Sequence, residues 1–331
     1  MVVRELRTIV AAALVLTASA CTTSGATRTQ TGVASTSTPP ATTPAGIVVE
    51  LSLRTGEVLR EFTVGPDPLV AVEAGLAIWT LNLDDGTVSR IDPETGEIRE
   101  AFDGNVAGIV ADPGAAVWGA VDGRWLVRID ATTGRTLRRL EIAEEPVFGV
   151  RDAGWPAVGG GWLWLTVPEG RSGEDELWRI DPEDGRIDAR VSIPSNPLPV
   201  VFLRGAVWIS HEEGVLRVDA RTLERRLVAV GPFPGVAALG RDGIWVPVSG
   251  GADRLDPATG TVREELRFPV SPRGLAVIGP RLWLTTDTGV TIVDRDGTVV
   301  RIVELTEPSD DEGPIAIVRL GDSVWVTVET A

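Results

Sequence analysis

Residues 76–102 read LAIWTLNLDDGTVSRIDPETGEIREAF, and versions of this unit recur through most of the chain. An apolar strand centred on Trp79 leads into a polar turn, and a second strand ends in Arg90-Ile91-Asp92. A Pro-Glu-Thr-Gly turn and a third strand from Glu97 come next. Period-two alternation with turn residues at both joints predicts antiparallel sheet rather than helix. Working outward, the Trp strand returns at Trp118, Trp164, Trp208, Trp245, Trp283 and Trp325, with spacings of 39, 46, 44, 37, 38 and 42 residues. One four-stranded propeller blade occupies this length. A helical repeat of similar length would need apolar residues at three-four spacing, and none is present.

The second half of the unit also occurs seven times: ELSLRTGEV, SRIDPETGEI, VRIDATTGRT, WRIDPEDGRI, LRVDARTLER, DRLDPATGTV and TIVDRDGTV. The first copy precedes every Trp strand, and the last Trp strand has no copy after it. The count closes if residues 47–64 supply the two outer strands of the last blade and residues 314–329 its two inner ones. The predicted fold is therefore an all-β, seven-bladed propeller of four-stranded antiparallel blades over residues 47–331, closed by its N- and C-terminal strands, which removes open sheet edges. Short runs such as Gly235–Leu239 and Gly274–Ile278 are read as innermost strands, where small residues fit a crowded axis. Seven equivalent Trp residues are read as packing between blades, each indole contributing about 2–3 kcal/mol. The repeated aspartates (Asp92, Asp130, Asp181, Asp219, Asp256 and Asp294) are read as turn openers whose carboxylates accept backbone N–H groups. Calcium binding is the alternative, but one carboxylate per turn falls short of the six to eight oxygens that ion prefers.

The N-terminus has the form of an export signal over residues 1–20: Arg4 and Arg7, an apolar core from Ile9 to Thr17, and the small residues Ala18-Ser19-Ala20. Cys21 is next and is the sole cysteine, which excludes an intramolecular disulfide and thiolate clusters. Its place resembles the lipobox of bacterial lipoproteins, with Ala18 where Leu is usual, and this implies lipidation at Cys21. Residues 21–46 then form a Thr/Ser/Pro-rich tether unable to bury a core. The expected location is the cell membrane, lipid-anchored on the extracytoplasmic face. A formal charge of -16 opposes phosphate neutralisation, so nucleic acid is not an expected partner. All 31 basic side chains are Arg.

The stretches GPRLWLTTDTGVTIVDRDGTVV (279–300) and GIWVPVSGGADRLDPATGTVREELRF (243–268) resemble the repeats of the streptogramin lyase-like (virginiamycin B lyase-like) propellers and related YVTN repeat proteins. The resemblance implies a propeller over residues 47–329. In that family it also implies magnesium near the axis and a catalytic histidine with histidine and glutamate partners. This chain has one histidine, His211, so no catalytic residue carries across.

Strand direction places the turns after the Trp strands, and the connections into the next inner strand, on one face, here called the top. That face gathers His211, Glu212 and Glu213, the pair Glu144 and Glu145, and the run Asp310, Asp311 and Glu312, with Asp67, Asp84, Asp85, Asp103, Asp122, Glu169, Glu174, Asp175 and Asp287. His211 is read as a solvated turn histidine, the alternative being a general base or ligand with Glu212 or Glu213. The acidic rim is read either as a solubilising surface or as a recruiting surface for a basic protein segment or envelope component. No cofactor is required by this reading, and a divalent cation and the metal question stay open. The expected function is a binding scaffold without catalysis; the alternative is a metal-assisted lyase or hydrolase. Blade 3 carries two longer loops, 151–161 and 168–176, with Trp155 and Trp162 in or beside the first.

Overall fold

The period-two runs of the repeat pair into seven four-stranded antiparallel sheets in a computed structural model that describes residues 45–112, 115–149, 152, 154–168, 174–305 and 313–329. Blades 1 to 6 begin with the inner strands Pro68–Ala74, Val106–Asp112, Pro156–Gly159, Val201–Leu203, Ala238–Leu239 and Gly274–Ile278. Three further strands succeed each outward in chain order. Blade 7 takes Gly313–Leu320 and Ser323–Glu329 from the C-terminal end and Ile47–Ser52 and Val58–Thr63 from the N-terminal end. Ile47–Ser52 pairs in full register with Ser323–Glu329, from Ile47 opposite Val328 to Ser52 opposite Ser323. This is the closure expected from the offset between the two half-repeats. No helix occurs among the described residues.

Burial in blade 1 peaks at the second strand, Ala77–Asn82, which is buried throughout, while the innermost strand is mostly half-buried and the outermost, Ile98–Glu100, is exposed throughout. All seven repeat tryptophans are buried, none above 2 % exposed. Each packs toward the following blade, as Trp79 does in one apolar cluster with Val117, Val121 and Ile129. In five blades an Arg stands opposite the Trp on the third strand, at positions 90, 128, 179, 217 and 254. Four of these guanidinium groups lie 5.8–6.0 Å from the indole centroid, within cation–π range. Arg90 and Arg179 then donate to the carbonyls of Ala131 and Ala220 in the next blade, at 3.0 and 2.9 Å. In blades 1 and 3 the repeated Arg thus bridges to the following blade, whereas Arg128 and Arg254 pair with Asp112 and Glu264 of their own blades. Blade 6 places Ile292 opposite its Trp, and blade 7 places Glu50.

The aspartate turns form as the repeat predicts. The carboxylates of Asp92, Asp130, Asp219 and Asp256 each accept the N–H groups two and three residues on. The Thr259 N–H, Arg263 and the Thr259 hydroxyl hold the Asp256 carboxyl down at about 2. Asp294 departs from the pattern: it accepts from Arg281, and Asp296 caps the Thr298 N–H instead. Its copy of the turn is shorter by one residue.

In blades 3, 4, 6 and 7 a buried hydroxyl two residues after the Trp (Thr166, Ser210, Thr285 and Thr327) ties down an inner strand or the connection leading to it. Thr285 accepts from the Gly274 N–H at 2.7 Å and donates to the Ile315 carbonyl of the next blade at 2.8 Å. Ser210 donates across the next interface to the Gly235 carbonyl at 2.7 Å. Thr166 and Thr327 accept from the Trp155 and Ala316 N–H groups. Gly274 is required by this crowding, because a Cβ there would lie 2.3 Å from the Ile315 carbonyl oxygen.

Candidate functional site

The top face is assembled from connections that alternate strand direction fixes, and its side chains separate into two groups. The first group serves the fold. Asp122 accepts the Asn105 N–H, Asp175 accepts the Asn196 N–H, Asp85 closes its own turn onto Thr87, and Asp287 pairs with Arg273 at 3.0 Å. The second group is exposed. Asp103, Glu144, Glu145, Glu174, Glu212 and Glu213 have no ion-pair partner among the described residues. These six lie on consecutive connections from the end of blade 1 to blade 4, so among the described residues they form an acidic arc. Glu169, Asp310, Asp311 and Glu312 lie outside the described residues.

His211 ends the second strand of blade 4, Ala206–His211, and is 4 % exposed, in contrast to the solvated turn residue expected from sequence. The cause is its register: it lies three residues after Trp208, where four other blades place the buried valines Val121, Val167, Val248 and Val328. Its strand neighbours Val207 and Ile209 belong to one cluster with Trp164, Leu177, Ile193 and Val200 of the preceding blade and its connection. Nδ1 accepts the Glu213 N–H at 3.3 Å, and Nε2 is buried without a hydrogen-bond partner. Burial pushes the imidazole below its ordinary value, partly offset by the charges of Glu213 and Glu212. The favoured form is therefore neutral, enclosed between blades, and turned to packing more than to solvent chemistry. Glu212 and Glu213 are themselves exposed, so the structure separates this trio rather than making one reactive cluster of it. No group of three or more His, Cys, Asp or Glu side chains suited to a metal ion occurs among the described residues.

In blade 3, Trp155 is buried and donates to the Pro197 carbonyl at 3.1 Å, covering the junction with blade 4. Trp162 is half-buried beneath the Arg179 guanidinium, 4.8 Å away. The residues that sequence reading passed over are the four hydroxyls and the Arg opposite five of the seven Trp residues. The hydroxyls stand two residues after the repeat Trp and the Arg two residues before the repeated Asp, and aligning the units on those two residues reveals them.

No protein-family model matches the chain, and no curated protein matches its sequence. Solved structures do match it. BamB from Moraxella catarrhalis aligns with a TM-score of 0.52 at 12% identity, covering 85% of this chain and 90% of that one. The computationally designed Ika8 protein aligns with a TM-score of 0.58 at 13% identity, over 83% of this chain and 88% of that one. The extracellular domain of the putative one component system BT4673 from B. thetaiotaomicron gives 0.58 at 13% identity, over 81% of this chain and 39% of that one. The chain is a seven-bladed β-propeller. At these identities the likeness is one of fold, which hosts many unrelated functions. No helix among the described residues is long and apolar enough to cross a membrane.

Proposed function

We propose that this chain is a lipid-anchored, extracytoplasmic propeller that binds a basic protein segment or envelope component through the acidic arc of its top face. The observation that carries this reading is the arc itself: six exposed carboxylates without counter-ions among the described residues, on one stretch of a face where Asp85, Asp122, Asp175 and Asp287 are engaged by the fold. A rigid scaffold presenting loops of one charge concentrates oppositely charged partners and speeds their association. The small residues before Cys21 and the Thr/Ser/Pro-rich segment after it support the anchor, and an acyl chain paired with a second one gives stable membrane attachment. The streptogramin lyase-like character of the repeats supports the scaffold. It brings no lyase chemistry with it, because the single histidine cannot supply a two-histidine constellation.

The test compares two variants of equal charge change. Glu144, Glu145, Glu212 and Glu213 are replaced together by Gln in one. Glu61, Glu94, Glu100 and Glu224, exposed on outer strands or on turns of the opposite face, are replaced by Gln in the other. An Arg/Lys-rich peptide is expected to bind the wild type and the second variant and to lose affinity for the first. Its affinity is expected to fall steeply with salt, since exposed charges are screened over about 8 Å at physiological ionic strength. Equal loss in both variants would reduce the arc to a diffuse net-charge effect. Cys21→Ser is expected to release the processed protein from the membrane fraction, and unchanged retention would remove the anchor from the reading.

A further inference from the structure

Blades 6 and 7 both lack the repeated Arg, and at the interface between them, on the face opposite the acidic arc, lies a half-open groove. Between blades 6 and 7 lies a space of about 360 Å³ with Arg54, Arg281 and Arg301 around it and Trp283, Ile292 and Val300 forming its apolar wall. Two departures from the repeat coincide at this interface. The Arg that in blades 1 and 3 stacks on the Trp and reaches the next blade's carbonyl is Ile292 in blade 6. The carbonyl it would reach belongs to Leu53, which comes after Ser52 as Ala131 comes after Asp130, and Leu53 borders the groove. Ser52 in turn occupies the place of the repeated Asp, and its hydroxyl accepts the Thr55 N–H in the carboxylate's stead.

The charge balance changes accordingly. The guanidinium that would bridge the slot is gone, and so is the carboxylate that would border it. Around the vacated space stand Arg54 and Arg301, which are exposed and have no carboxylate partner among the described residues. Arg281 donates through Nε to Asp294 at 3.0 Å. Blade 7 shows the contrast: Glu50 replaces the Arg, but Phe62 stacks on Trp325 at 5.2 Å and Arg60 reaches the Pro93 carbonyl, so that slot is filled. In a protein of net charge -16, three guanidinium groups beside an indole and two aliphatic side chains form a local cationic site with an apolar floor.

We infer that this slot between blades 6 and 7 binds a small organic anion, a carboxylate or phosphate monoester carrying an apolar body. Arg guanidinium groups pair with carboxylate and phosphate through parallel N–H donors. The apolar wall takes the body of the ligand, and the volume falls within the roughly 300–1,000 Å³ usual for small-molecule sites. The site is independent of the acidic arc, so the two readings stand or fall separately.

The experiment is calorimetric titration of the full-length chain with phenyl phosphate and with phenylacetate, using phenol as the uncharged control. Both anions are expected to bind more tightly than phenol, and the tighter of the two assigns the anionic group. Ile292→Arg restores the repeat, filling the slot and reaching toward the Leu53 carbonyl; it is expected to abolish binding while keeping the protein folded. Arg54→Gln and Arg301→Gln are each expected to weaken binding on the order of three- to tenfold, the range for exposed charge-assisted hydrogen bonds. If Ile292→Arg does not fold, the double variant of the two exposed arginines carries the test. Absence of binding by both anions, phenol binding as tightly as they do, or affinity unchanged in the folded variants would overturn the inference.

Discussion

A histidine in a valine position carries a cost that its neighbours do not. Nε2 of His211 is buried without a partner, and an unsatisfied buried polar group costs about 1–3 kcal/mol. His211→Val is therefore expected to raise stability at neutral pH by about 1 kcal/mol, measured by denaturant unfolding. The pH dependence has a definite sign. Burial lowers the native value below the ordinary 6.5, so the unfolded chain takes up the proton first. The contribution is complete above the unfolded value and is lost as pH falls through the lowered native one. Melting the wild type and His211→Val at about pH 7.5 and about pH 5 is expected to show a smaller acid loss in the variant, and identical losses would place the acid sensitivity elsewhere. The residue's identity was plain in the sequence, but its burial was not. A turn of Ser-His-Glu-Glu-Gly reads as solvated until the strand register carries the histidine one step inside the turn.

Among the elements, the second strand of blades 3, 4, 6 and 7 does more than bury its Trp. Its hydroxyl two residues on bonds an inner strand or its connection, and at Thr285, which is 0% exposed, it holds two inner strands at once. Thr285→Val removes both bonds and leaves the Gly274 N–H and the Ile315 carbonyl without that partner, for an expected loss of about 1–3 kcal/mol; Thr285→Ser is expected to recover most of it. Equal unfolding midpoints for the two variants would show that the hydroxyl contributes nothing. Blade 5 carries a different residue at this position. Pro247 stands there and has no N–H for the ladder, although its carbonyl still accepts the Gly235 N–H at 2.8 Å. The inner strand is accordingly confined to Ala238–Leu239, shorter than the Gly235–Leu239 run read from sequence.

For the whole molecule, closure is the stabilising step. Residues 47–64 cover the outward edge of Ser323–Glu329 and bring Phe62 onto Trp325. Deleting them is expected to expose that edge and to cause aggregation or a loss that is a large fraction of total stability, on the order of 5 kcal/mol or more. Deleting residues 22–44 is expected to leave the melting temperature nearly unchanged. Thermal melts with light scattering would decide, and comparable losses from the two deletions would overturn the role given to closure.

The repeat by itself determined the architecture of this protein. Each blade is a local unit of alternating strands and turns, so the blade number, the Trp packing positions, the Asp turns and the offset that joins the two chain ends are all legible in linear order. Only the tertiary structure decided which acids of the top face are spent on backbone N–H groups and arginines and which stay exposed. It alone decided that His211 is enclosed, and that exchanging Arg for Ile at position 292 opens a groove. The physical reason is common to all three. Each depends on what an adjacent blade or connection presents across an interface, and at blades 6 and 7 that surface comes from the opposite end of the chain.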